Sequence, residues 1–142
     1  MRVLITGASG FAGGYLAHTC TSAGDEVVGI SRRGSLPDGA GEGRVVDLRD
    51  GDRVREMVQQ FQPEVVYHLA ALSSVGESWT EPATTVGSNV ASDLNVLEAV
   101  RLDAPRARIL WVSSCQVYGA PARPVEPAKR RRSSRPGRDP CD

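Results

Sequence analysis

The stretch Arg2-Val3-Leu4-Ile5-Thr6-Gly7-Ala8-Ser9-Gly10-Phe11-Ala12-Gly13 decides how the rest of the chain is read. Its first five residues are short, apolar and rich in β-branching, the pattern of a strand buried on both faces. Gly7, Gly10 and Gly13 then fall at i, i+3 and i+6. In a strand-turn-helix unit the first glycine permits the tight turn and the second lets backbone approach a pyrophosphate. The third lets helix and strand pack closely. The helix that follows offers free N–H groups and the positive end of its dipole to phosphate. The plainer alternative is a Gly-rich connector. The strand-turn-helix context favours a dinucleotide-binding turn that includes Ser9 and Phe11.

Outward from this turn, Phe11, Tyr15, Leu16 and Thr19 recur at helical spacing, and Gly24 can close that helix. Residues 26–31 read as a second strand, 32–43 as a loop with four glycines and a proline, and 44–48 as a third strand. Asp50 can cap a helix through residue 60, with Val54, Met57, Val58 and Phe61 on one face and Pro63 as its stop. Residues 64–69 form a fourth strand and 70–81, small and polar, a loop. Residues 82–101 form a long helix carrying Val86, Val90, Leu94, Leu97 and Val100, and 108–113 a fifth strand. Strand and helix alternate with no hairpin signal. The expected fold is therefore α/β, a Rossmann-type doubly wound parallel sheet of five strands.

The cofactor's ribose is read about 20 residues beyond the glycine turn. A site for NAD places an Asp or Glu there to hold the 2′-hydroxyl. This chain has Ser31-Arg32-Arg33. A guanidinium pair suits a 2′-phosphate through charge-assisted hydrogen bonds, so NADP(H) is favoured, with NAD(H) the alternative. Asp47-Leu48 ends the third strand at the sheet's carboxyl edge. Its carboxylate either accepts from an adenine amino group or serves as a turn or capping aspartate. His68 ends the fourth strand without a visible carboxylate partner in sequence and reads as structural.

The chain has 142 residues, 40% hydrophobic and 24% charged, an ordinary globular composition. No apolar run reaches 18 residues, so no membrane span is expected. The start shows no secretory signal pattern. Three widely spaced cysteines, Cys20, Cys115 and Cys141, argue against a disulfide framework or a zinc site and point to the cytoplasm. Cys115 has no basic neighbour in sequence and reads as a packed thiol. The zero net charge hides an asymmetry. Residues 1–120 hold ten Lys/Arg against 14 Asp/Glu, and residues 121–142 hold seven against three with five of the nine prolines. The expected division is a dinucleotide-binding part, residues 1–119, and a basic Pro/Arg-rich tail, residues 120–142.

Taken together, the glycine turn, Asp47-Leu48, His68-Leu69-Ala70-Ala71 and Val112-Ser113-Ser114…Val117-Tyr118-Gly119 resemble the extended short-chain dehydrogenase/reductases, and among them the nucleotide-sugar epimerases and dehydratases. Arg32-Arg33, residues 62–67 and residues 73–79 look most like the GDP-mannose 4,6-dehydratase and GDP-4-keto-6-deoxymannose reductase branch. The resemblance implies hydride transfer at a sugar carbon of a nucleotide sugar of GDP-mannose type. It implies that Leu69, Ala70, Ala71 and Asn89 line the cofactor and that Ser73 and Ser74 lie near the sugar. Ser114 matches the catalytic Ser/Thr, whose hydroxyl would stabilise charge developing on the sugar oxygen. Neither nucleic acid nor membrane is an expected partner, and homo-oligomers are compatible with the full-length form.

Two departures qualify this. Gln116 stands where family dehydratases carry a Glu, and an amide cannot exchange protons in water elimination, which leaves epimerase or reductase open. The family's Tyr-x-x-x-Lys pair is missing, because no Tyr follows Tyr118 and the only later Lys is Lys129. The chain therefore reads as C-terminally truncated and as written inactive; the alternative to an enzyme part is a non-catalytic dinucleotide-binding fragment. Its tail is a functional basic segment, a solvated end, or an out-of-frame product. The abrupt end of the family pattern favours the last.

Overall fold

The computed structural model of the chain describes residues 1–114. Two units are distinguished, Met1–Val112 and Ser113–Asp142. In the first, the elements run β1 (Arg2–Thr6), α1 (Phe11–Ser22), β2 (Glu26–Ser31), β3 (Glu42–Val45), α2 (Gly51–Phe61), β4 (Val65–His68), α3 (Val75–Thr80), α4 (Pro82–Asp103) and β5 (Arg108–Trp111). The expected boundary at 119/120 and the readings of Cys115, Gln116, Tyr118, Lys129 and Cys141 lie outside the described residues.

All strand pairs are parallel, in the order β3-β2-β1-β4-β5. The chain winds outward from β1 to β3, then returns to the other side of β1 with β4. That reversal opens a crevice beyond the carboxyl ends of β1 and β4. Alternation along β1 assigns the two layers. Leu4 joins Val28, Ile30 and Val66 beneath α2 and α4, packed on Val54, Val58, Phe61, Val96 and Val100. Val3 and Ile5 face the other way with Val27 and Val65, beneath Ala17 and Cys20 of α1.

Helix α1 turns a surface of small residues to the sheet: Gly13, Gly14, Ala17 and Cys20 are buried. Phe11 and Tyr15, the apolar pair at helical spacing, are exposed instead and meet edge to face at 5.1 Å. Close helix–strand approach demands small side chains, so apolar size marks the wrong face here. Helix α4 behaves alike. Val96, Ala99 and Val100 are buried, whereas Val86, Val90 and Leu94 are exposed. Helix α2 starts as expected, with Asp50 accepting the Arg53 N–H at 3.1 Å. It ends at Gln62, which adopts the left-handed conformation (φ 50°).

The third strand is Glu42–Val45 rather than 44–48, because the pairing of Val28 with Glu42 through Ser31 with Val45 exhausts β2. Val46 and Leu48 leave the sheet and bury their side chains in the core under α2 and α4. Residues 70–81 are not all loop: they contain α3, a six-residue helix too short to show an apolar period.

The amino ends of the strands are stapled together. The Arg2 N–H donates to Glu64 Oε2 (2.7 Å) and Arg2 Nε to the Gln62 carbonyl (2.7 Å). Gln62 Nε2 reaches the Asp103 carbonyl (3.1 Å), and the Asp103 carboxylate takes Arg55 Nε (2.7 Å) and Gln59 Nε2 (3.0 Å). This chain of contacts joins β1, α2 and α4 at the end of the sheet away from the crevice.

Candidate functional site

The crevice is a cleft of about 720 Å³. Its floor is the glycine turn. Gly7 sits at φ +69°, and its carbonyl accepts the Gly10 N–H at 2.9 Å. A Cβ on Gly7 would stand 2.9 Å from the Ala70 nitrogen. One on Gly13 would run into the Gly7 carbonyl oxygen and lie 2.7 Å from Ala8 Cα. The turn is therefore closed by bare backbone on three sides, and only glycine fits it. Gly10 is the N-cap of α1, with no side-chain cap and no acidic residue in the first turn. A helix start of this kind favours an anion. The donor set and the backbone cradle fit the pyrophosphate of a dinucleotide.

Of the residues expected at the cofactor, Gly7, Ser9, Gly10, Ser31, Arg32, Arg33, Asp47, Leu48, Leu69, Ala70, Ala71 and Asn89 line this cleft, as does Ser73. Phe11 and Gly13 do not. Phe11 is 87% exposed on α1, and Gly13 lies beneath the turn, where it lets α1 pack against Gly7 and Ala8. Ser74 is exposed and outside the lining. Ser114 is exposed and belongs to the second unit.

Beyond the end of β2, the Ser31 hydroxyl accepts the Gly34 N–H (2.9 Å), which bends the chain so that Arg32 and Arg33 face the cleft. Asp47 is held from the same side. Arg49 Nη2 lies 2.6 Å from its Oδ2, and Arg49 Nε and backbone N–H both lie 3.0 Å from its Oδ1. These bonds from the Arg49 side chain, then its backbone, bring the Asp47 carboxyl down to about 2; the charges of Arg49 and Arg32 add to the effect. Asp47 is thus an ionised partner of Arg49 and a turn aspartate, accepting the N–H two residues on, and not a helix cap. The cap of α2 is Asp50.

The opposite wall hangs from α4. Asn89 grips Leu72 by both backbone groups, taking its N–H at 2.7 Å and giving to its carbonyl at 3.1 Å. Asn95 Nδ2 donates to the Leu48 carbonyl at 2.9 Å. His68 corrects the sequence reading: it has a carboxylate partner. Its Nε2 lies 2.8 Å from Asp93 Oδ1, and its Nδ1 lies 2.7 Å from the Thr6 hydroxyl. The partner is 25 residues away on α4 and reaches the ring only through the fold. Sequence reasoning also missed Arg49, Leu72, Ser88 and Ser92 in the lining. The signal for Asp93 was its place one helical turn after Asn89.

Among the described residues, no buried side-chain nitrogen or oxygen lacks a partner. No cluster of three metal-ligating side chains occurs among them, and no helix is long and apolar enough to cross a membrane.

Residues 3–140 match the family described as the NAD dependent epimerase/dehydratase family. The chain is 32% identical over 135 residues to UDP-glucuronate 4-epimerase 4 of Arabidopsis thaliana, covering 84% of this chain and 30% of that protein. It is 31% identical over 130 residues to CDP-glucose 4,6-dehydratase of Salmonella typhimurium, covering 82% and 35%. Among solved structures, UDP-glucose 4-epimerase from Brucella ovis in complex with NAD superposes with a TM-score of 0.76 at 31% identity, covering 86% of this chain and 38% of that one. The chain thus spans between 30 and 38% of the length of these relatives. None of the three names carries a GDP-linked sugar.

Proposed function

The chain belongs to the NAD dependent epimerase/dehydratase family, and from that premise we propose that it is the cofactor-holding part of an enzyme acting on a nucleotide sugar, with NADP(H) as its preferred dinucleotide. The relatives' names supply the substrate class, UDP- and CDP-linked sugars. The observation that carries the cofactor choice is the charge of the cleft: Arg32, Arg33 and Arg49 line it against one acid, Asp47, already paired with Arg49. No carboxylate at the end of β2 is present to take a ribose 2′-hydroxyl, and two guanidinium groups are free to take a 2′-phosphate. The NAD in the Brucella ovis structure is that enzyme's own and keeps NAD(H) as the competing ligand.

When bound, the dinucleotide supplies a hydride acceptor and donor for a sugar carbon. This chain's residues supply the seat. The Gly7–Gly10 turn and the start of α1 hold pyrophosphate, Arg32 and Arg33 the adenosine ribose, and the Leu69–Ala71 backbone forms the facing wall. Ser73 stands on the sugar side of that wall. By resemblance, Ser114 would hydrogen-bond the sugar oxygen, and the sugar nucleotide would be of GDP-mannose type.

The test is a fluorescence titration of the purified chain with NADPH and NADH, followed by a nucleotide-sugar panel of UDP-, CDP- and GDP-linked sugars. NADPH should bind at least tenfold more tightly. Equal or stronger binding of NADH overturns the cofactor assignment. Failure of both ligands overturns the seat. Turnover of any sugar above a Ser114→Ala control marks the chain itself as catalytic.

A further inference from the structure

We propose that Asp93 is a positioning residue, which acts through His68 and Thr6 on the backbone wall of the cofactor cleft. The proposal rests on the dinucleotide reading above only for its effect on cofactor affinity.

Thr6 and His68 are the buried polar residues of the described core, at 0 and 3% exposure. The Thr6 hydroxyl oxygen lies 3.2 Å from the N–H of Leu69 and 3.2 Å from the N–H of Ala70. The Ala70 N–H points at this oxygen, and the Leu69 N–H is divided between it and the Thr6 carbonyl at 3.3 Å, so the two amides together occupy the hydroxyl oxygen's lone pairs. The Thr6 O–H must then donate, and the acceptor at 2.7 Å is His68 Nδ1. Nδ1 therefore carries no proton, and the proton sits on Nε2, facing Asp93 Oδ1 at 2.8 Å. A carboxylate accepts only, and so selects the same tautomer from the other end. With the proton on Nδ1 instead, Thr6 would face three N–H donors, and Nε2 would face a carboxylate with no proton between them.

The consequence runs in one direction through three elements. Asp93 on α4 sets the tautomer of His68 on β4. The tautomer sets the direction of the Thr6 hydroxyl at the end of β1, and that direction leaves both lone pairs to the Leu69 and Ala70 amides. Leu69 and Ala70 line the cleft, and the Ala70 nitrogen is the atom that a Cβ on Gly7 would crowd. The amide positions and the phosphate turn are thus fixed against one another. Trp111 meets the imidazole edge to face at 6.0 Å. Asn89, one turn earlier on α4, secures Leu72 further along the same wall.

The test uses the whole 142-residue chain with ¹⁵N-labelled histidine. Long-range ¹H–¹⁵N spectra at neutral pH should show His68 as the neutral Nε2–H tautomer. An Nδ1–H tautomer or an imidazolium there overturns the proposal, whatever the cofactor does. NADPH affinity is then compared for Asp93→Ala and Asp93→Asn at a temperature where circular dichroism shows each fully folded. The Ala variant should bind about tenfold more weakly and shift the Leu69 and Ala70 amide resonances, and the Asn variant, which keeps an acceptor oxygen, should recover to within about threefold. A folded Ala variant with wild-type affinity and unmoved amides overturns the proposal, as does an Asn variant no better than Ala. Should the Ala variant fail to fold, Thr6→Val replaces it: without the hydroxyl the same two amides must move, and unmoved amides overturn the proposal. If wild type binds neither NADPH nor NADH, the dinucleotide reading fails, while the tautomer and the amide shifts still decide the role of Asp93.

Discussion

Asp47 and Arg49 grip each other across a single intervening residue, with four hydrogen bonds from one arginine converging on one carboxylate. The pair lies in the wall of the cleft, and its effect is to remove Asp47 from titration over any physiological range. The folded-state carboxyl is depressed, to about 2, so its contribution is full above the ordinary carboxylate range and fades as pH falls through about 2. Both side chains are more than a third exposed, so solvent screens the pair and keeps that contribution small. Arg49→Ala should return the Asp47 carboxyl toward its ordinary value in a ¹³C NMR titration. It should leave the urea midpoint at neutral pH nearly unchanged, since the pair is exposed and screened. An unmoved Asp47 titration would sink this account of its charge.

Arg32→Ala and Arg33→Ala should each weaken NADPH binding by about tenfold and leave NADH binding within about twofold. A 2′-phosphate is what distinguishes the two ligands, so the ratio reads the contact directly. Equal losses for both would place the arginines on the shared pyrophosphate instead.

Two glycines make opposite forecasts. Gly13→Ala drives a methyl into the Gly7 carbonyl and should cost about 1–3 kcal/mol by chemical denaturation, with loss of dinucleotide binding. Gly87→Ala, inside α4 with nothing within 4 Å of the added methyl, should stabilise by about 0.5–1 kcal/mol. Similar effects at both sites would refute the steric reading of the turn.

Among the described residues, β5 has a strand neighbour on one side only, β4. Leu110 and Val112 beside that edge are 51 and 53% exposed. An apolar edge invites pairing with another chain. The 142-residue chain should therefore self-associate with rising concentration in sedimentation velocity, and Leu110→Lys should reduce this. A concentration-independent monomer would contradict it.

The glycine turn and the five-stranded parallel sheet were legible in sequence because each rests on local rules: glycine spacing for the turn, and alternation of strand and helix for the sheet. The buried faces of α1 and α4 were not. There apolar size points outward at Phe11, Tyr15, Val86, Val90 and Leu94; Gly13, Gly14 and Ala17 pack α1, and of the expected α4 period Val100 is the residue that is buried, beside Val96 and Ala99. Helix α3 was hidden by its shortness. The partner of His68 was illegible for another reason: Asp93 lies a helix away, and only the packing of α4 on the sheet joins them. Arg49 was overlooked as a loop cation, since nothing local says that a side chain two residues on will fold back on Asp47.

The staple from Arg2 through Gln62 to Asp103 and Arg55 has a bearing on how such a domain changes over time. It gathers ion pairs and backbone bonds at the strand beginnings, while the lining of the cleft gathers at the strand endings. A replacement at Arg32, Arg33 or Ser73 therefore touches none of the bonds that tie α2 and α4 to the sheet. Drift in what the crevice accepts can proceed without eroding the framework, and wear on the framework can be repaired without retuning the crevice. One molecule in this way carries two nearly independent histories, one written at each end of its sheet.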